Sequence, residues 1–397
     1  MLSERSILMS NVSITPANCS IIRCNSYDYD LVYNSLAESI KNLGGFEPYI
    51  VPGERVLLKA NLLMKKKPEE ATTTHPIFVK ALANLLIEYG AKVVIGDSPG
   101  GPFNANLMNG VYKATGMAAI AEETEAILNN NYNSFQKENP KGLIMKKLTL
   151  TDMINDVDKV ISVAKLKTHA MMTYTGAVKN MFGVVPGIVK AEYHLNIPNY
   201  EQFSDMLIDI CLCAEPVLSF IDGIVGMEGH GPSAGTPVNI NAVMASNSPY
   251  HIDQAACHII GLAVKDVPML KRMQEREIIS ELSDINFTGE SIEKFIMPSF
   301  EIISGKSSMT VHDSNLPVFV KNFIGKHMQT RPQVNNADCT GCAICQEACP
   351  AKIVEMSADH KAIIDYPKCI RCYCCQELCP QKAIKMYKPR MVKMLKL

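Results

Sequence analysis

From about residue 19 onward, short runs of β-branched and aliphatic residues alternate with longer stretches whose apolar positions recur every three or four residues. Residues 20–24, 55–62, 91–97, 158–167 and 217–223 read as strands, rich in Val and Ile and bounded by turn residues. Residues 30–43 read as a helix closed by Gly44-Gly45, and 76–90 as a second with Pro76 in its first turn and Gly90 at its end. A third spans 200–214, and 238–244 reads as another strand. The charged stretch 262–295 is expected to be helical, and 300–305 to be a final strand. This alternation predicts an α/β domain: a mostly parallel sheet with helices on both faces.

The C-terminal pattern is of another kind. Cys339, Cys342, Cys345 and Cys349 precede Pro350; thirty positions on, Cys369, Cys372, Cys375 and Cys379 precede Pro380. Eight thiols at this spacing form the ligand set of two [4Fe–4S] clusters, in which the fourth cysteine of each run ligates the other cluster. One cluster is thus assigned Cys339, Cys342, Cys345 and Cys379, and the other Cys369, Cys372, Cys375 and Cys349. Structural zinc also uses paired C-x-x-C but leaves the four-cysteine runs and the terminal Cys-Pro unexplained. Each repeat is too short for its own core, so the paired halves and the two inorganic cubes must serve as one core together. The module resembles a ferredoxin, which implies a small C-terminal α+β, ferredoxin-like iron–sulfur domain. Cys374 stands where the first repeat has Ile344, and is read as a spare, partly buried thiol. The expected organisation is a loose N-terminus (1–15), an α/β domain (16–305), a connector (306–336), the cluster domain (337–388) and a basic tail (389–397).

Composition narrows the setting. The chain has 397 residues, 47% hydrophobic and 20% charged, with a net charge of −1, so no overall field favours nucleic acid or an anionic membrane. No secretory leader or run of eighteen apolar residues is visible, and no membrane insertion is expected. The remaining cysteines suit a reducing cytoplasm. Oxygen-labile clusters suggest an anaerobic cell.

The strand ends carry the candidate chemistry. Strands finish in Lys59-Ala60-Asn61, in Asp97-Ser98-Pro99-Gly100-Gly101, in Lys165-Leu166-Lys167-Thr168-His169 and in Asp222-Gly223. In open α/β sheets ligands bind just outside the carboxyl ends of the strands, so these residues are expected to line one site. In an extended 165–169, Lys165, Lys167 and His169 share a face. Lys179 and Asn180 follow in a glycine-rich stretch, 175–183, and the excess of lysine over Asp97 and Asp222 favours an anionic ligand. His194 is an isolated histidine for which a structural role is at least as apt. The stretch 226–235 contains a G-x-G-x-x-A pattern, but a strand rather than a helix follows, so it reads as a loop closing over the pocket with Glu228 and His230 available.

The segments KANL (59–62), GDSPG (96–100), KLKTH (165–169), TGAVKNMFG (175–183) and DGIVGMEGHGP (222–232) resemble the family called domain of unknown function 362, over residues 20–305. The terminal module resembles a bacterial two-cluster ferredoxin. The resemblance implies an iron–sulfur protein of unassigned activity and supports the choice of pocket residues. The functional expectation is a ferredoxin-fused oxidoreductase that reduces an anionic organic substrate or cofactor, using Lys59, Asn61, Asp97, Lys165, Lys167, His169, Lys179, Asn180 and Asp222, with a redox partner protein. A non-enzymatic electron carrier or scaffold docking a partner oxidoreductase is the alternative. A non-redox enzyme whose clusters regulate or dock is the third reading.

Overall fold

Side-chain alternation along the central strands sets the architecture. The computed structural model describes residues 17–303, 317 and 330–388; residues 1–15, most of 306–336 and the tail 389–397 lie outside the described residues. The strands of the large domain are β1 (Asn18–Arg23), β2 (Arg55–Ala60), β3 (Lys92–Gly96), β4 (Ile127–Leu128), β5 (Ser134–Glu138), β6 (Lys147–Thr151), β7 (Lys159–His169), β8 (Thr173–Thr175), β9 (Leu218–Glu228), β10 (Thr236–Ser246) and β11 (Asn286–Gly289). The main sheet runs β11-β1-β10-β9-β7-β2-β3-β4, with β8 folded back on β7. Its β9-β7-β2-β3-β4 half is parallel, whereas β10 is antiparallel to both neighbours. The mostly parallel sheet of the sequence reading is correct.

Val56, Leu58, Ile161, Val163 and Phe220 face one core, shared with helices Tyr29–Asn42 and Pro76–Tyr89. Leu57, Ala164, Leu166 and Ile221 face the other, shared with helices Tyr200–Ala214 and Pro249–Ile259. Burial on both faces explains why these strands read as continuous apolar runs. Helix Pro76–Tyr89 starts at Pro76 and ends on Gly90 at φ 102°, a left-handed position suited to glycine.

Two expectations need correction. Residues 262–295 are not one helix: only Pro268–Glu275 is α-helical, and Asn286–Gly289 instead pairs in parallel with β1. Pro268 starts a fresh helix after a turn, so the charge pattern there marks solvent-facing turns. In 300–305, only Ile302 forms an isolated bridge, to Gly229, and residues beyond 303 are outside the description.

The C-terminal module contains β12 (Arg331–Val334), β13 (Val354–Met356), β14 (Ala362–Ile364) and β15 (Ile384–Tyr387). β12, within the stretch read as connector, pairs antiparallel with β15, and β13 with β14. Among the described residues no helix is long and apolar enough to cross a membrane.

Candidate functional site

The two cysteine runs fold on one template. Gly341 and Arg371, Ala343 and Tyr373, and Lys352 and Lys382 all have positive φ at equivalent places in the two repeats. Cys339, Cys342 and Cys345 line a small hollow whose wall is completed by Cys379 from the other repeat, with Ala343, Ala362 and Ile384 around it. Reciprocally, Cys372, Cys369 and Cys349 are the thiols that act most strongly on Cys375, with Cys345 of the other set after them. Among the described residues no three His, Cys, Asp or Glu side chains converge on a point for a single ion. Cysteines spread around an aliphatic-walled hollow fit a polynuclear iron–sulfur group, whose thiolates sit at separate corners.

A larger cavity, about 600 Å³, lies where the carboxyl ends of β2, β3 and β7 meet this module. Its sheet-side wall carries Lys59, Asn61, Asp97, Lys167, His169, Lys179 and Asn180; its opposite wall carries Ile344, Glu347, Ala348, Lys352, Cys374, Glu377, Leu378 and Pro380. Seven of the nine sequence candidates therefore converge. Lys165 and Asp222 do not line the cavity: they form a buried pair at 2.8 Å, each bonded to the Tyr27 hydroxyl at 2.7 Å. Lys165 does share its strand face with Lys167 and His169, but Asp222 on neighbouring β9 holds it. Cys374 is buried and faces this cavity.

Local packing fixes the sheet-side groups. Lys59 pairs with Asp97 at 2.8 Å and donates to Asn180 Oδ1 at 2.9 Å, while Asn180 Nδ2 donates to the Lys59 carbonyl at 2.7 Å. A Cβ at Gly183 would overlap Asp97 and Lys59, which is why that glycine-rich stretch can pass so close. The short helix Ala177–Asn180, bearing Lys179, is anchored by Asp253, which accepts from Ala177 N at 2.6 Å, Val178 N at 3.0 Å and Tyr174 Oη at 3.1 Å. Lys167 donates to Asn61 Oδ1 at 2.6 Å and to the Thr72 carbonyl. Lys179 has no carboxylate within ion-pair distance among the described residues; its ammonium lies 5.6 Å from the Phe182 ring centre.

Electrostatics follow from burial. Burial pulls Lys167 down to about 7, helped by Lys179 and Lys165. It also pulls Lys190, another lining residue, down to about 7. Lys59 and Lys179 are lowered for the same reason, Lys59 despite Asp97. Burial brings His169 to about 4 and His194 to about 3. The His169 ring accepts at Nδ1 from Met171 N (3.1 Å) and Met172 N (3.3 Å), so its proton belongs on Nε2. That Nε2 lies 3.6 Å from Glu377, too far for a hydrogen bond. Burial alone would raise Glu377, but His169 and Lys179 outweigh it and hold the carboxyl below its usual range. We therefore take Glu377 as ionised and His169 as neutral. The cavity thus offers lysines poised between charge states, a fixed imidazole N–H and few carboxylates to balance an incoming anion.

Sequence reasoning missed Lys190 and Glu377, gave Ser98 no role beyond its place in a strand exit, and left His194 undecided. Lys190 and His194 lie on helix Gly187–Asn196, which was not foreseen, although four-residue spacing places them on one face. Glu377 carried no signal, because only the docking of the module brings it here. The loop 226–235 does not close over the pocket with Glu228 and His230. It serves as a dock, its His230 carbonyl accepting from Gln376 Nε2 at 2.8 Å, and only Pro232 of this stretch reaches the cavity.

These features define an α/β domain joined to an iron–sulfur electron-transfer module. Residues 56–258 match the domain of unknown function DUF362, and residues 331–380 match a 4Fe-4S dicluster domain. The chain belongs to the DUF362 family. A thylakoid-associated protein of Synechocystis sp. is 31% identical over 270 residues, spanning 68% of this chain and 82% of that protein. The lactate racemase apoprotein from Thermoanaerobacterium thermosaccharolyticum has a TM-score of 0.36 and 13% identity, covering 56% of this chain and only 53% of its own. At that level the likeness carries no conclusion.

Proposed function

We propose that the chain is a ferredoxin-fused oxidoreductase in which an anionic organic substrate is reduced inside the cavity between the two domains. The observation that carries this reading is the composition of the two walls. One presents Lys59, Lys167, Lys179 and Lys190; the other presents Cys374, next to the ligand candidate Cys375, and Glu377, midway between the ligand candidates Cys375 and Cys379. Two [4Fe–4S] clusters, with the crossed ligand sets given above, supply two single electrons. The protein's own residues do the rest. Lysines bind and orient the anion, and the module excludes water from above. Lys167, near its neutral-pH midpoint, delivers the two protons that a two-electron reduction consumes, one with each electron and regaining a proton from solvent in between, while the neutral His169 donates a hydrogen bond from Nε2–H to the reacting group. The exposed Cys342 edge is where a redox partner protein would hand over electrons. A cytoplasmic, anaerobic setting suits such a centre.

The test uses the anaerobic, chemically reduced full chain and fractions of small anionic metabolites, following reoxidation by cluster absorbance. At least one fraction is expected to reoxidise the wild type, and Lys179→Ala to slow this by at least tenfold with unchanged iron content. Reoxidation of the variant at the wild-type rate would favour the electron carrier instead.

A further inference from the structure

Resting on the cavity reading above, we propose that its floor contains a preformed oxyanion cradle made by Ser98, the start of helix Gly187–Asn196 and Lys190, so that the substrate is an organic acid or phosphate ester bound by its headgroup there. Helix Gly187–Asn196 has ten residues, begins after Pro186, and no side chain caps its N-terminus. Gly187 and Ile188 line the cavity, so the start of the helix, whose first backbone N–H groups have no intrahelical acceptor, borders it. Ser98, only 1% exposed, lines the same space, and its Oγ has no hydrogen-bond partner. A buried hydroxyl left unsatisfied beside an uncapped helix start is what a missing acceptor-rich ligand leaves behind.

The third component is Lys190, one turn along the helix, whose ammonium donates to the Ser98 carbonyl and so stands over the same loop. Shape also fits. A Cβ at Gly187 would strike the Pro99 and Gly101 carbonyls, so the helix start is pressed against the Ser98–Gly101 turn. The nearby negative charge, Asp97, is occupied: Lys59, Leu62 N and Ser98 N all point at it. It therefore does not repel an anion as a free carboxylate would. Lys179 and the imidazoles of His169 and His194 line the same cavity along with Cys374. A ligand held by its oxyanion in the cradle would present its remaining atoms to those groups, below the cluster module.

The probes are inorganic phosphate and acetate, titrated calorimetrically into the full-length, cluster-loaded protein without any reductant. Saturable binding of at least one is expected, weakened by about tenfold in Lys190→Met and severalfold in Ser98→Ala, as loss of a charged and a neutral hydrogen-bond donor implies. Tighter binding of phosphate marks a phosphate ester, and of acetate a carboxylic acid. Unchanged cluster absorbance certifies that each variant is folded. The cradle is refuted by no saturable binding of either anion, or by binding that both variants leave intact. Because no electron moves in this measurement, its failure is distinct from failure of the oxidoreductase reading.

Discussion

The two cysteine repeats share a backbone template and differ in what they touch. In the first, Cys342, Ile344, Gln346 and Glu347 are exposed. In the second, the counterparts Cys374 and Gln376 are buried, and Tyr373, at the place of Ala343, is 1% exposed and packs into the large-domain core. Its hydroxyl donates to the Thr330 carbonyl at 3.0 Å. Gln376 donates to the His230 carbonyl, Leu378 packs on Gly100, and the Pro380 carbonyl accepts from Lys66 Nζ at 2.9 Å. Lys382 adds an ion pair to Glu70 at 3.1 Å. The two ligand loops share one backbone; side-chain differences make the second a dock and leave the first as part of the cavity wall, with its Cys342 edge exposed. An electron path needs both an exposed edge and a buried one.

The severest break of this comparison removes ligands. Since the hollows are built across repeats, Cys379→Ala and Cys342→Ala should each lose about half of the roughly eight irons and abolish the same electron paramagnetic resonance signal. Cys349→Ala and Cys372→Ala should abolish the other. Signals that instead pair Cys379 with Cys372 would show each repeat holding its own cluster. The next effect is on docking. Tyr373→Ala removes a buried ring and its hydrogen bond, so the urea midpoint should fall by an amount equivalent to about 3–5 kcal/mol. A fall below about 1 kcal/mol would mean the second repeat is not anchored by this residue.

Those contrasts also show how far a sequence can be read. Cysteine spacing announces the ligand set because a cluster demands thiols at fixed intervals along the chain. The strand exits were legible for the same kind of reason: an apolar run that gives way to Lys59, Asp97 or Lys167 marks the carboxyl end of its strand, where ligands bind in open α/β sheets. Lys165 and Asp222 satisfied that rule too, yet found each other on adjacent β7 and β9, a pairing set by strand order rather than by local pattern. The helix at 187–196 was hidden by its glycine start and mixed polarity, and with it Lys190. Nothing local distinguishes Glu377 from Glu347, since their difference lies in which surface the module presents to the large domain.

Finer tests of the asymmetry use single side chains. Gln376→Ala strips the donor from the His230 carbonyl in a buried interface and should cost about 1–3 kcal/mol. Gln346→Ala, at the exposed equivalent position, should change stability by less than about 0.5 kcal/mol. Equal effects from both would erase the distinction between the docked repeat and the less buried one.

The smallest expected effect has opposite signs in the two repeats. Ala343 and Tyr373 occupy the same left-handed conformation, at φ 60° and φ 62°. A Cβ there costs about 1 kcal/mol or more, a strain that glycine relieves, although glycine also gains freedom in the unfolded chain. At Ala343 the side chain is a single methyl, and little packing is lost on removing it. Ala343→Gly should therefore stabilise the protein by about 0.5 kcal/mol, seen as a higher urea midpoint. Tyr373→Gly gains the same backbone relief but forfeits the buried ring, so it should remain strongly destabilising. If both glycine variants raised the midpoint, backbone strain rather than docking would govern this loop, and the second repeat would owe its burial to other contacts; if both lowered it, the strain at Ala343 would be too small to matter.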